Sequence, residues 1–293
     1  RRMETAQAFA DEHSVPNAFD SWEDMCGSDT VDAIYVATPT SVREEICLAA
    51  ASNGKHVLGE KPFASLPSLQ RITAACREHG VAFMDATHFV HHPRFHAVLS
   101  GMAETVGRPQ TLQTRFLVSL TDRSDIRYDP ALEPLGALGD LGWYNMRATV
   151  EYLGKGASPR EVAASIVRDA ATGVITAAEG RIDFGEGRNS RWQCSFVADA
   201  VDIGLELGGP GVGAEIDRRP GHRETGTSGG IAGQQAERIA VADDGHVATA
   251  RHGLVGQQGR HVEHLVQGVH AHHAGLAEQC VYRRRRHNRR HRI

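Results

Sequence analysis

A chain of 293 residues is long enough for one or two ordinary domains, because single cores stop growing near that size. Hydrophobic residues at 41% and charged residues at 23% lie near globular averages, and no apolar run approaches the roughly 18 residues of a membrane-spanning helix, which excludes such a span. The net charge of -4 conceals a basic end: Arg283 to Arg292 carries seven arginines, so the rest of the chain holds -11. Cys26, Cys47, Cys76, Cys194 and Cys280 stand singly, without C-x-x-C or metal-type spacing, which predicts reduced thiols in a cytoplasmic protein. The chain opens on Arg1-Arg2 and a polar amphipathic stretch rather than the apolar core of a signal peptide, and a signal lost upstream stays open.

Met3, Ala6, Phe9 and Ala10 fall at helical intervals and Pro16 forbids continuation, so a helix is predicted over Arg2 to His13. A strand follows at Ala33 to Ala37, then a helix from Val42 to Ser52 closed by Asn53-Gly54, and a short strand at His56 to Leu58. Ser65 can cap a helix from Leu66 to His79, Gly80 ends it, and Val81 to Met84 is another strand. Strands alternating with helices predict β-α-β units around a parallel sheet.

From Gly107 the rhythm changes. Gln110 to Leu120 reads as a strand, a polar loop carries Asp129-Pro130, and one clear helix spans Asp140 to Leu153. Four strands follow, Glu161 to Arg168, Ala177 to Phe184, Ser190 to Val197 and Val201 to Leu207, with Gly185-Glu186-Gly187 as a hairpin turn. The predicted fold class is therefore α/β: a truncated Rossmann-type parallel-sheet domain over 1–94, then an α+β domain with a largely antiparallel open sheet over 95–217.

Residues 218–293 are set apart. No Phe or Trp occurs after Phe196, no Lys after Lys155, and ten of the 17 histidines lie between His222 and His291. With so little to bury, such a segment can hardly offset its ordering entropy, and it reads either as a flexible tail or as out-of-frame translation of a G/C-rich coding sequence. The arginine-rich end lacks interleaved aromatics or any recognisable module, so no nucleic-acid partner is expected.

Chemistry concentrates at three places. Gly59-Glu60-Lys61-Pro62 follows a short strand of the parallel sheet, where ligands bind beyond the carboxyl ends of strands, although the same residues could form a turn with a solvated ion pair. Thr38-Pro39-Thr40-Ser41 ends the preceding strand and opens a helix, a place that favours a negatively charged group. Asp140 and Tyr144, four apart at the start of the predicted helix, share a face and can converge on one ligand, or else serve the helix dipole and the core. Oxidising an alcohol requires a base for the hydroxyl proton, and a phenol of ordinary pKa about 10 suits that task only beside a cation such as Lys61. His88, His91, His92 and His96 sit where the chain leaves the parallel sheet, an arrangement too loose for zinc, so no metal is expected.

Taken together, VDAIYVATPTS, GKHVLGEKP, GVAFMDATHFVHHPR, DIRYDPALEPLGALGDLGWYNMRA and GRNSRWQCSFVADAVDIGLE resemble the Gfo/Idh/MocA family, nearest its dimeric dihydrodiol dehydrogenase and D-xylose dehydrogenase branch. The resemblance runs from Arg1 to about Asp217. It implies an NAD(P)-dependent dehydrogenase moving hydride to or from a hydroxyl carbon of a sugar, polyol or cyclic diol. Lys61 would lie beside the nicotinamide and the substrate hydroxyl, Asp140 would orient substrate, and Tyr144 would stand where many relatives carry His. Thr38, Pro39, Thr40, Glu60 and Lys61 would touch the cofactor. His88 and Arg94 would contact substrate, with simple linker packing as the alternative. The strand, G-x-G-x-x-G turn and helix that open complete members do not precede Arg1, so activity of the chain is expected to be impaired. Arg1 and Arg2 align just after the second strand, where basic residues read a 2′-phosphate, which tilts the cofactor from NAD toward NADP. A homodimer through the open sheet is the expected assembly. The competing reading is a non-catalytic nucleotide-sensing or regulatory protein of the same fold; an assembly product without function is a third.

Overall fold

The computed structural model describes residues 2–154 and 156–210, together with the strand backbones at 214–215, 237–241 and 247–248. The expectations placed on Arg1 and on most of 218–293 therefore lie outside the described residues. Two compact units divide between Ala86 and Thr87, so His88 and Arg94 belong to the second.

The first unit runs α1 (Met3–His13), α2 (Trp22–Gly27), β1 (Ala33–Val36), α3 (Thr40–Ser52), β2 (His56–Gly59), α4 (Leu66–Glu78) and β3 (Phe83–Asp85). Its three strands form a parallel sheet in the order β1-β2-β3, with Ala33 opposite His56 and Val57 opposite Phe83. Parallel pairing requires a crossover, and the helices α3 and α4 supply it. Strand alternation buries Ile34 and Val36 and turns Tyr35 outward. The expected cap holds: Ser65 Oγ accepts the Ser68 amide at 3.2 Å and Pro67 occupies the first turn of α4. The short helix α2 was not expected. Its six residues are too few to show a period, and its only sequence mark is Ser21, whose Oγ accepts the Asp24 amide at 3.0 Å.

The second unit opens with a 3-10 turn (His88–His91) and α5 (Pro93–Thr105), then β4 (Thr111–Ser119), a 3-10 turn (Ile126–Tyr128), α6 (Gly136–Asp140) and α7 (Gly142–Thr149). A π turn (Val150–Gly154) leads to β5 (Glu161–Arg168), β6 (Ile175–Gly185), β7 (Arg188–Ser195), β8 (Val197–Gly208), β9 (Ala214–Glu215), β10 (Glu237–Val241) and β11 (Val247–Ala248). These strands make one sheet in the order β11-β10-β5-β6-β7-β4-β8-β9. All pairings are antiparallel except β4 with β7. The α/β division into a parallel sheet followed by a largely antiparallel one is thus as the sequence predicts. Strands β10 and β11 fall inside the segment that the sequence reading set apart.

Two corrections concern helices. Residues 93–105 form α5, where only a boundary was expected; Phe95 is its one fully buried side chain, so it shows almost no apolar stripe. Its start is nonetheless marked, because His92 Nδ1 accepts the Arg94 amide at 3.1 Å and Pro93 takes the first position. The helix expected over Asp140 to Leu153 is instead α6, α7 and the π turn, with the chain breaking step at Leu141. The Leu141 amide bonds Ala137 at 3.0 Å, whereas the Tyr144 amide bonds Leu141 itself at 3.1 Å, a three-residue step.

The sheet fixes α6 and α7. Asn145 Nδ2 donates to Thr114 Oγ1 of β4 at 2.9 Å, and Thr149 Oγ1 pairs with Ser190 Oγ of β7 at 2.8 Å. At the head of α6, Gly136 has φ +49 and lies so close to β6 that an added Cβ would stand 2.3 Å from the Ile175 carbonyl oxygen. Gly136→Ala is expected to cost about 1–3 kcal/mol of stability through overpacking and a strained backbone, read as a lower urea midpoint; an unchanged midpoint would mean that α6 shifts freely.

Candidate active site

In the first unit, functional groups collect at the carboxyl ends of β1 and β2. The Glu60 amide donates to the Val36 carbonyl at 3.0 Å, and the Ala86 amide to the Gly59 carbonyl at 2.9 Å, so the loop carrying Glu60 and Lys61 is pinned from both neighbouring strands. The Lys61-Pro62 peptide is cis. Glu60 accepts the Tyr35 hydroxyl through Oε1 and the Lys61 amide, at 3.1 Å, through Oε2. That carboxylate pushes the Tyr35 phenol above its ordinary pKa, because the hydrogen bond and then burial disfavour a second negative charge. Lys61 is half-buried.

The Thr38-Pro39-Thr40 loop leads into α3, where Pro39 is the cap and the Val42 amide donates to the Pro39 carbonyl at 3.3 Å; a helix N-terminus favours negative charge. Thr38 Oγ1 is buried without a hydrogen-bond partner among the described residues. Arg43, one turn into α3 and 4% exposed, ties this loop to the next. It donates to the Thr38 carbonyl at 2.5 Å, to Thr40 Oγ1 at 3.1 Å and to the Pro62 carbonyl. Sequence reasoning passed over Arg43, since a helical arginine in the stretch Ser41-Val42-Arg43-Glu44 looks like a solvated one. Arg2 is exposed just ahead of α1.

In the second unit, Tyr144 is held between two fixed neighbours. Trp143, 2% exposed, donates from Nε1 to Thr87 Oγ1 at 2.8 Å, and Asn145 is bonded to β4 as described. The Tyr144 ring lies 5.2 Å from the Phe116 ring and 6.2 Å from that of Phe89. Its hydroxyl is 3.3 Å from Nδ1 of His88, whose ring meets it edge-on at 5.4 Å. Asp140 has a different companion: Arg127 donates from Nε to Asp140 Oδ2 at 2.8 Å, while its Nη1 reaches Asp125 at 3.1 Å. Burial works against the Arg127 charge, yet the two carboxylates outweigh it and raise its pKa. Asp140 closes α6 and Tyr144 lies in α7, with Leu141 between the two helices; Asp140 pairs with Arg127 and Tyr144 with His88. Arg127 is the second residue the sequence reading missed, and its mark is the D-I-R step thirteen residues before Asp140.

His88 and Arg94 are both exposed. His88 pairs with Tyr144, and Arg94 lies in the first turn of α5. Among the described residues, no group of three or more His, Cys, Asp or Glu side chains gathers as metal ligands. No helix of the described residues is long and apolar enough to cross a membrane. Cys47, Cys76 and Cys194 are fully buried, and desolvation pushes their thiols to about 12, 11 and 12, so they stay protonated and inert.

Residues 1–87 match the model of the GFO_IDH_MocA oxidoreductase family, NAD-binding Rossmann fold. Among curated proteins, D-xylose 1-dehydrogenase (NADP(+)) 2 of Haloferax volcanii is 28% identical over 266 residues, covering 90% of this chain and 78% of that protein. An alignment covering 90% of the chain necessarily includes residues beyond Asp217. Trans-1,2-dihydrobenzene-1,2-diol dehydrogenase of Xenopus tropicalis is 30% identical over 151 residues, 49% of this chain and 44% of that one. The chain thus spans less than half of the second relative. Among solved structures, KijD10, a 3-ketoreductase from Actinomadura kijaniata in complex with NADP and TDP-benzene, shares the fold with a TM-score of 0.66 at 22% identity, covering 94% of this chain and 80% of that one.

Proposed function

We propose that the chain, whose residues 1–87 match the Gfo/Idh/MocA oxidoreductase family, is an NAD(P)-dependent dehydrogenase acting on CH–OH groups of a sugar, polyol or cyclic diol. The observation that carries this reading is the Tyr144 phenol, set rigidly on α7 and paired with the imidazole of His88 at 3.3 Å. A phenol in hydrogen-bond contact with an imidazole can take a hydroxyl proton and pass on its own, which is what oxidation of an alcohol demands of the protein. Asp140, paired with Arg127 at 2.8 Å, is an acceptor-only carboxylate suited to orienting a neighbouring substrate hydroxyl. Arg94, exposed at the start of α5, is assigned as a further substrate contact.

The carboxyl ends of β1 and β2 fit a dinucleotide. The unpartnered Thr38 hydroxyl and the N-terminus of α3 are suited to an anionic group, and Thr38, Pro39, Thr40, Glu60 and Lys61 would hold the cofactor there. When bound, the nicotinamide supplies the acceptor or donor of hydride. Lys61 contributes a fixed positive charge at that end of the sheet, and the exposed Arg2, joined by Arg1, favours the 2′-phosphate of NADP over NAD. The names of the relatives above, an NADP(+) dehydrogenase of D-xylose and a dehydrogenase of a cyclic diol, support both the cofactor and the substrate class. The homodimer is assigned to the open sheet, where Val201 and Ile203 lie exposed on one side of β8.

Lys61→Ala tests the reading. Turnover should fall about 10²–10³-fold through loss of a positioned charge, and the dissociation constant for NADPH, followed by fluorescence quenching, should rise with it. Unchanged turnover would remove Lys61 from the machinery.

A further inference from the structure

We propose that His88 is the proton exit of the site, carrying the proton released by alcohol oxidation from Tyr144 to solvent; this rests on the oxidoreductase reading above. Three observations on one small region support it. First, the Tyr144 hydroxyl lies 3.3 Å from His88 Nδ1, with the two rings edge-on at 5.4 Å. Second, the two residues differ in exposure: Tyr144 is half-buried among Phe89 and Phe116, whereas His88 is exposed. A half-buried phenol exchanges protons with bulk water less freely than an exposed imidazole does. Third, both partners sit on fixed supports, because Thr87, next to His88, accepts the Trp143 indole N–H, next to Tyr144, at 2.8 Å. That side-chain bond joins the residue before His88 to the residue before Tyr144.

The proton balance closes. The relay requires His88 with its hydrogen on Nε2, so that its Nδ1 lone pair accepts the phenol proton. During oxidation the substrate hydroxyl proton moves to Tyr144 Oη as the proton of Tyr144 moves to His88 Nδ1. The hydride from the substrate carbon would pass to a bound oxidised nicotinamide, so that the carbon–oxygen double bond can form. The products are a ketone or lactone, a neutral phenol and a His88 imidazolium, which then loses its Nε2 proton to water. Reduction of a carbonyl runs the same path backwards. The charge is thus carried from the half-buried phenol to an exposed ring.

The test combines one spectroscopic and one kinetic readout on the full chain. In nucleotide-free protein, long-range 1H–15N NMR should show neutral His88 as the Nε2-protonated tautomer, with a hydrogen-bonded Nδ1 resonance that moves in Tyr144→Phe. An Nδ1-protonated tautomer would overturn the proposal, since that ring could not accept the phenol proton. In turnover, His88→Ala and His88→Gln should both lower kcat about 10²-fold with little change in KM, and added imidazole should restore much of the loss. Gln offers hydrogen bonds but cannot relay a proton, so full activity in His88→Gln would reduce His88 to a packing partner and overturn the relay alone. If the wild-type chain shows the expected tautomer but no turnover with any substrate of the class, the relay falls together with the oxidoreductase reading.

Discussion

Tyr144→Phe is expected to lower kcat for alcohol oxidation by about 10²–10⁴-fold, the usual contribution of a positioned acid or base, while leaving nucleotide affinity within a few-fold of wild type. The substitution removes the hydroxyl that faces His88 Nδ1 and keeps the ring that packs against Phe116 and Phe89. Trp143 and Asn145 keep their own bonds to Thr87 and Thr114, so α7 should not move. Stopped-flow absorbance of the reduced nicotinamide separates the chemical step from product release and places the loss in the former. Near-normal turnover across pentoses, polyols and dihydrodiols would make Tyr144 a packing residue and leave His88 as the group to examine for the base.

Arg43→Met should have the largest effect on stability at the cofactor end of the first unit. Its guanidinium serves the Thr38 carbonyl at 2.5 Å, Thr40 Oγ1 at 3.1 Å and the Pro62 carbonyl, and it is 4% exposed. Removing it strands buried acceptors, each worth about 1–3 kcal/mol unpaired, so a total loss of about 3–5 kcal/mol is expected in urea denaturation. Because the two stranded carbonyls belong to the loops after β1 and β2, the KM for the dinucleotide should rise along with the loss of stability. Arg43→Lys should recover only part of either, since an ammonium lacks the planar fork that reaches both loops. A denaturation midpoint equal to wild type would show that the loops hold themselves.

Much of the fold was legible because its strands follow local rules. The period-2 pattern of Glu161 to Arg168 predicts β5 at its observed bounds, and the Gly185-Glu186-Gly187 turn, with positive φ at all three residues, joins β6 to β7. The loops that carry Thr38 and Lys61 were legible for a related reason: both close short apolar strands. What stayed hidden depends on partners distant in sequence. Arg43 meets Pro62 nineteen residues on, and Arg127 meets Asp140 thirteen residues on, contacts that no periodicity encodes. The break at Leu141 was invisible too, since Gly139-Asp140-Leu141-Gly142 suits one helix as well as two and the choice is made by packing on the sheet. Helix α5 escaped because it buries little more than Phe95.

Hydride transfer between a nicotinamide and a hydroxyl carbon is read most directly as absorbance at the reduced-nicotinamide band. The protein would be given NADP+ or NAD+ with a panel of pentoses, polyols and cyclic diols. Growth of that band in one-to-one ratio with carbonyl product, faster with NADP+ and lost in Tyr144→Phe, is the predicted result. Saturable nucleotide binding with no band growing for any member of the panel would contradict it and favour a nucleotide-sensing role instead.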